Sequence, residues 1–274
     1  MTARPFEREA GTANWSLRLS LLPIPILIVA GVLHRYEWID VIPLFVAIAI
    51  AWGLALLALV MGGLAMRDIW VEGVRGFGPA LAGSLLALVI LAMPAFVMAE
   101  MLRLPRLSDV STDPIDPPAF TAPGIQAHPA PDAADMEAQQ RTYPDIVARH
   151  YPVTPERAFT AAMKLVEARG WKIAAANGPD LEVADAGIEA VAKTLVLALP
   201  VDVSIRIISD DDGTLVDMRS AGRIGAHDLG DNVRRIRAFF ADLDLALQGV
   251  TEPDEATEPE TDLPPLPPAS PRSR

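Results

Sequence analysis

Cysteine is absent from all 274 residues, which excludes disulfides, thiolate metal sites and a cysteine nucleophile. A surplus of basic charge is missing too: 23 lysines and arginines stand against 35 aspartates and glutamates, for a net charge of −12. A general nucleic-acid binder needs a basic face, so no nucleic-acid partner is expected. The four histidines (34, 128, 150 and 227) have no ligand spacing, and Asp210-Asp211-Asp212-Gly213 lacks the remaining positions of a calcium loop. That acidic run reads as a solvated turn. Neither a metal nor a cofactor is expected.

Charge is also missing from three long stretches, Leu19–Leu33, Val41–Met66 and Gly76–Ala99. A bilayer core of about 30 Å takes roughly 20 apolar residues at about 1.5 Å each. The second and third runs meet that length outright. The first reaches it if Arg18 snorkels and Trp15 sits at the interface. It reads as an uncleaved span and not a signal peptide, because no small-x-small site follows and the run exits into His34-Arg35-Tyr36-Glu37. Pro23 and Pro25 should bend it. Residues 1–102 therefore form a membrane block of three transmembrane helices, with the lipid bilayer as their first partner. No ionisable residue interrupts the runs, so nothing marks an ion or substrate path. Between spans two and three, Trp70, Val71, Val74 and Phe77 fall at helical spacing, suggesting a short helix on the membrane surface.

Arginines near the span ends set the orientation. With the N-terminus inside, Arg4, Arg8, Arg18, Arg67 and Arg75 lie on the inner side; Arg35, Arg103 and Arg106 lie outside. Five against three places the N-terminus in the cytoplasm and the remainder of the chain across the membrane. Small residues in the spans (Ala47, Ala51, Ala55, Gly83, Ala87) permit close helix packing.

Residues 103–140 carry seven prolines and no apolar periodicity, which predicts a disordered, proline-rich linker. The tail over 250–274 has the same composition, acidic and with seven prolines. Its Pro264-Pro265-Leu266-Pro267-Pro268 contains overlapping PxxP spacings, a polyproline-ligand reading set against a solvated tail. Between them, residues 141–249 predict a soluble α+β domain. Thr154-Pro155 starts a helix that Gly170 closes, with Phe159, Ala162, Met163 and Val166 as its buried stripe. Trp171–Ala176 reads as a strand, and Leu181–Ala184 and Ile188–Leu199 continue as β. Val201–Ile208 alternates, with Val201, Val203, Ile205 and Ile207 opposite Asp202, Ser204 and Arg206. Thr214–Arg219 returns after the acidic turn. Asp231 or Asp228 caps a last helix to about Gln248. The fold class is a two-layer sandwich, an antiparallel sheet of about four strands with two helices. Residues 143–248 should fold alone.

The densest polar stretch runs from Val216 to Asn232 and on into Arg234-Arg235-Ile236-Arg237. It resembles the RSxSRxGxxDxGxNxxRIRxF signature of the bacterial domain-of-unknown-function family 1499. Tyr143-Pro144-Asp145-Ile146 and Gly170-Trp171 are similar to that family as well, so the resemblance covers roughly 143–247. Ala221-Gly222 departs from it at a hydroxyl-bearing position, and Thr194-Leu195-Val196-Leu197 lacks the expected aromatics. The resemblance implies a domain without an assigned activity, in a family with secreted and lipid-anchored members, which favours the periplasmic side of a bacterial inner membrane.

Physically, Arg206, Asp217 and Arg219 fall on neighbouring strands, where alternating charges pair across the ladder. Arg223 lies in the following loop. Asp228 and Asn232 open a helix whose free N–H groups attract anions, with Arg235 one turn on. These seven residues form either an anion site or a structural ion-pair network; the network is the expectation. A hydrolase reading would draft Ser220, His227 and Asp228, but they crowd one loop and neighbouring side chains point apart, so no catalytic residue is assigned. The leading functional expectation is a non-enzymatic binding module of the cell envelope with a protein or envelope partner. A small anionic ligand-binding module is the alternative, and an enzyme of unknown reaction the third reading.

Overall fold

The computed structural model describes residues 10–179 and 185–248. The first apolar run breaks in two, as α1 (Gly11–Leu21) and α2 (Pro23–Arg35), with Pro23 at the first position of α2, where its missing N–H is not needed. Together they make a 25-residue span. Two further helices, α3 (Val41–Glu72) and α4 (Phe77–Arg103), are likewise long and apolar enough to cross a membrane. The separate surface helix expected after the second span does not form. Helix α3 continues through Arg67 and Trp70 to Glu72, and a short turn with Gly73 and Gly76 at φ 68° and 137° leads into α4.

Small residues seat these helices. Ala51, Ala55, Ala58 and Gly62 of α3 and Ala80, Gly83 and Ala87 of α4 are buried. A Cβ at Gly83 would lie 2.6 Å from the backbone nitrogen of Leu17, so α4 meets the backbone of α1 there. Ser16 of α1 donates to the Ala58 carbonyl of α3 at 2.9 Å.

Beyond α4 the chain builds an antiparallel sheet of six strands, not four. They are β1 (Asp109–Ser111), β2 (Arg149–Tyr151), β3 (Lys172–Asn177), β4 (Asp185–Lys193), β5 (Pro200–Asp210) and β6 (Gly213–Gly222). The order is β1-β6-β5-β4-β3, and β2 shares the β6 edge with β1. Strand β2 faces residues 214–216 and β1 faces residues 219–221. These two additions are three residues each, too short to show an alternation. The strand expected at Leu181–Ala184 and the tail over 250–274 lie outside the described residues.

The segment expected as a disordered linker is built into the domain. It contains β1, a strap over residues 112–131, and helix α5 (Ala133–Thr142). Gln139 of α5 clips β1 with two hydrogen bonds, accepting from the Ser111 amide and donating to the Ser111 carbonyl. Its prolines signal the absence of regular structure, which is correct for the strap; order comes instead from side chains elsewhere, described below.

On one face of the sheet lie α6 (Pro155–Ala168) and α7 (Asp231–Leu247). Ile188, Val203, Ile205, Ile207, Val216 and Met218 point to them and meet Val166, Ile236, Phe239, Phe240 and Leu243 in one core. Each fully buried side chain of this kind contributes about 1.5–3 kcal/mol. Leu107 and Val110, just after the three apolar spans, belong to the same core.

Candidate functional site

Period-two alternation fixes what the other sheet face carries. Registration of β4, β5 and β6 sets Gly187, Arg206 and Asp217 in one row, Glu189, Ser204 and Arg219 in the next, and Val191, Asp202 and Ala221 in the third. Arg223 follows at the end of β6. Four of the seven residues singled out from sequence, Arg206, Asp217, Arg219 and Arg223, are thus on one polar face.

Each arginine there is paired with an aspartate and also binds the strap. Arg206 contacts the buried Asp217 at 3.0 Å, Asp116 at 2.8 Å, and the Asp116 carbonyl at 2.9 Å. Arg219 is buried. It holds Asp109 at 2.6 Å, donates to the carbonyls of Pro118 and Pro129, and lies over the Phe120 ring at 4.8 Å. Arg223 holds Asp202 at 2.6 Å and the Gly124 carbonyl at 2.6 Å.

The remaining polar groups of the face complete the strap's backbone. Glu189 accepts from the amides of Thr121 and Ala122 and from the Thr121 hydroxyl at 2.6 Å. Ser204 donates to the Ala119 carbonyl at 2.9 Å. Asp202 accepts from the Gln126 amide and lies 2.9 Å from His128 Nε2. A proline-rich segment with no ladder of its own therefore finds its partners in a ladder of side chains, which satisfies the rule that buried backbone groups are paired.

Burial and pairing compete for the acids. Burial pushes Asp202 upward, but hydrogen bonds from His128 and Arg223 outweigh it and hold its carboxyl below the ordinary value. Burial wins at Asp217, raising it despite Arg206. It wins again at Asp228, despite the amides of Asn232 and Gly230.

The other three sequence-selected residues form a separate cluster at the start of α7. Asp228 accepts from the amides of Gly230 and Asn232 at 2.8 Å each, and Gly230, at φ 74°, is the cap residue. Asn232 accepts from the Ser220 hydroxyl and from Arg235 and donates to the Ser108 carbonyl. Arg235 is also paired with Asp231 at 2.5 Å. Ser220 is on the opposite face of β6 from Arg219, so the two clusters do not merge. His227 Nδ1 accepts from the Leu229 amide, and its hydrogen bond goes to neither Ser220 nor Asp228. Asp109, Asp113, Asp116, His128, Glu189 and Asp202 complete the polar face, and none was singled out from sequence. Most are distant in the chain from the arginines they serve, and only an alternation of Asp202 with Arg206 hinted at one of them.

Residues 109–243 match the model of a family described as a protein of unknown function (DUF1499). The match begins at β1, so the strap and its arginine partners lie inside the family's unit, which starts well before residue 143. No curated protein and no solved structure matches the chain.

Proposed function

With a DUF1499 domain behind three apolar helices as the premise, we propose that this is an inner-membrane protein whose N-terminus is cytoplasmic and whose domain faces the periplasm. We further infer that the domain is a non-enzymatic interaction module for a protein or other component of the envelope. One observation carries the reading: the guanidinium groups of Arg206, Arg219 and Arg223 are spent on the chain's own aspartates and on strap carbonyls. A polar face filled from within supports a rigid scaffold, and recognition then belongs to the outer surfaces. The arginine bias of the loops supports the orientation.

The natural absence of cysteine makes the test direct. Asp211→Cys, at the exposed β5–β6 turn, should react with a membrane-impermeant maleimide in intact spheroplasts. Reaction only after lysis inverts the orientation. Affinity capture from crosslinked membranes, compared with a chain ending at Arg103, tests the binding role. Identical recovery from both chains would remove it.

A further inference from the structure

Five basic residues and one acid line a cleft of about 940 Å³ between the α2–α3 loop and the edge of the sheet. They are Arg35, Arg169, Lys172, Lys193 and Arg223, with Glu37. Arg223, Arg169 and Lys193 are paired with Asp202, Asp242 and Glu37, which leaves Lys172 and Arg35 as the cations of the cleft without a salt bridge among the described residues. The cleft also has a defined height relative to the membrane. Arg35 is the last residue of α2, and its guanidinium donates to the Leu195 carbonyl at 3.2 Å. Lys193 reaches Glu37 in the same loop at 2.7 Å. The β4–β5 turn is thereby held against the end of a membrane span.

That turn is apolar where solvent would demand otherwise. Leu195 is 82% and Val196 66% exposed, and Leu195 also borders an apolar groove of about 300 Å³ with Leu197, Leu199 and Ile224. Across the cleft, the side chain of Lys172 makes no hydrogen bond among the described residues. The Glu37 carboxyl is held below its ordinary value chiefly by Lys193, with a smaller contribution from Lys172.

From these two neighbouring features we propose that the cleft binds the phosphate of an anionic phospholipid, with Lys172 and Lys193 facing the headgroup and Leu195 and Val196 against its acyl chains. Cations at the height of a span's end face headgroups, and exposed leucine and valine beside them lower their free energy in hydrocarbon. A free phosphate shares the headgroup's chemistry but has no use for the apolar tip. The proposal needs the domain and the α2–α3 loop on the same side only, so it stands whichever side that is, and its failure leaves the protein-partner reading untouched.

The test uses the full chain in a neutral detergent with three probes: dihexanoyl phosphatidylglycerol, dihexanoyl phosphatidylcholine and inorganic phosphate. Binding is followed by native mass spectrometry and thermophoresis. Phosphatidylglycerol should bind and phosphatidylcholine should not. Lys172→Glu should weaken it about tenfold or more, Lys172→Arg should restore it, and Leu195→Asn should weaken it while leaving phosphate binding unchanged. Lys172 is exposed, so the thermal melt of each variant should match the parent and separate binding from folding. Equal binding of phosphatidylglycerol and phosphate, indifferent to Leu195→Asn, would assign the cleft to a free anion and overturn the lipid. Indifference to Lys172→Glu, or equal binding of both lipids, would overturn the site.

Discussion

Removing the Arg219 side chain would leave Asp109 and the carbonyls of Pro118 and Pro129 without their donor in a buried setting. Breaking a buried pair from one side costs about 3–5 kcal/mol, so Arg219→Ala should lower the melting temperature steeply, by about 4 °C per kcal/mol for a domain of this size. Arg223→Ala should cost less, about 1–3 kcal/mol, because Asp202 retains His128 and the Gln126 amide. Calorimetry of the two variants checks the ranking; equal melts would place no weight on burial. Asp202 also gives the fold an acid limit. Its folded pKa is depressed, so between that value and the unfolded value near 3.9 the unfolded chain holds more protons. Its contribution is present above about pH 4 and lost as pH falls further. Asp202→Asn should therefore be less stable at neutral pH, with a flatter acid limb, when melting is followed from pH 6 to pH 2. Asp217, raised by burial, acts with the opposite sign over its own range. Arg219, Arg223 and Arg235 were legible in the sequence because they cluster in one motif, and Arg206 through the alternation of its strand. Asp109 and Asp116 were not, since nothing in a single chain links an acid to a base 110 or 90 residues away.

At the scale of elements, the strap depends most on Glu189. Its carboxylate holds the turn at Thr121 and Ala122 through both amides, and the strap has no strand partner there. Glu189→Ala should release that stretch and open a protease site within 112–131, where the parent chain resists cleavage. Digestion timed by mass spectrometry checks this, and equal rates would show the strap secured by the arginines alone. Long periodic elements were readable from sequence. Helix α7 was read almost whole, from Asp228 or Asp231 to about Gln248, and β5 through its alternation. The three-residue strands β1 and β2 were not, and proline content was taken for disorder. Proline count reports on the backbone's own hydrogen bonds. It carries no information about donors and acceptors that other elements supply.

For the molecule as a whole, the folding unit begins where the third apolar span ends. Leu107 and Val110 are in the core and β1 completes the β6 edge, so residues 143–248 alone, expected from sequence to suffice, lack a strand, the strap and three aspartates of the polar face. A fragment of residues 105–248 should melt cooperatively, whereas 143–248 should be molten or aggregated; circular dichroism and gel filtration separate the outcomes. Only residues 104–108 lie between the end of α4 and β1, and five of their backbone groups are already bonded, including the Leu107 carbonyl to the Asp228 amide and the Ser108 carbonyl to the Gly222 amide. Five residues reach at most about 17 Å when extended. The proposed membrane anchor therefore leaves the domain little reach into the surrounding solution. Whatever it meets must itself come to within a domain's width of the bilayer, and for a membrane-bound partner the encounter becomes a search over a plane, governed by surface density and lateral diffusion.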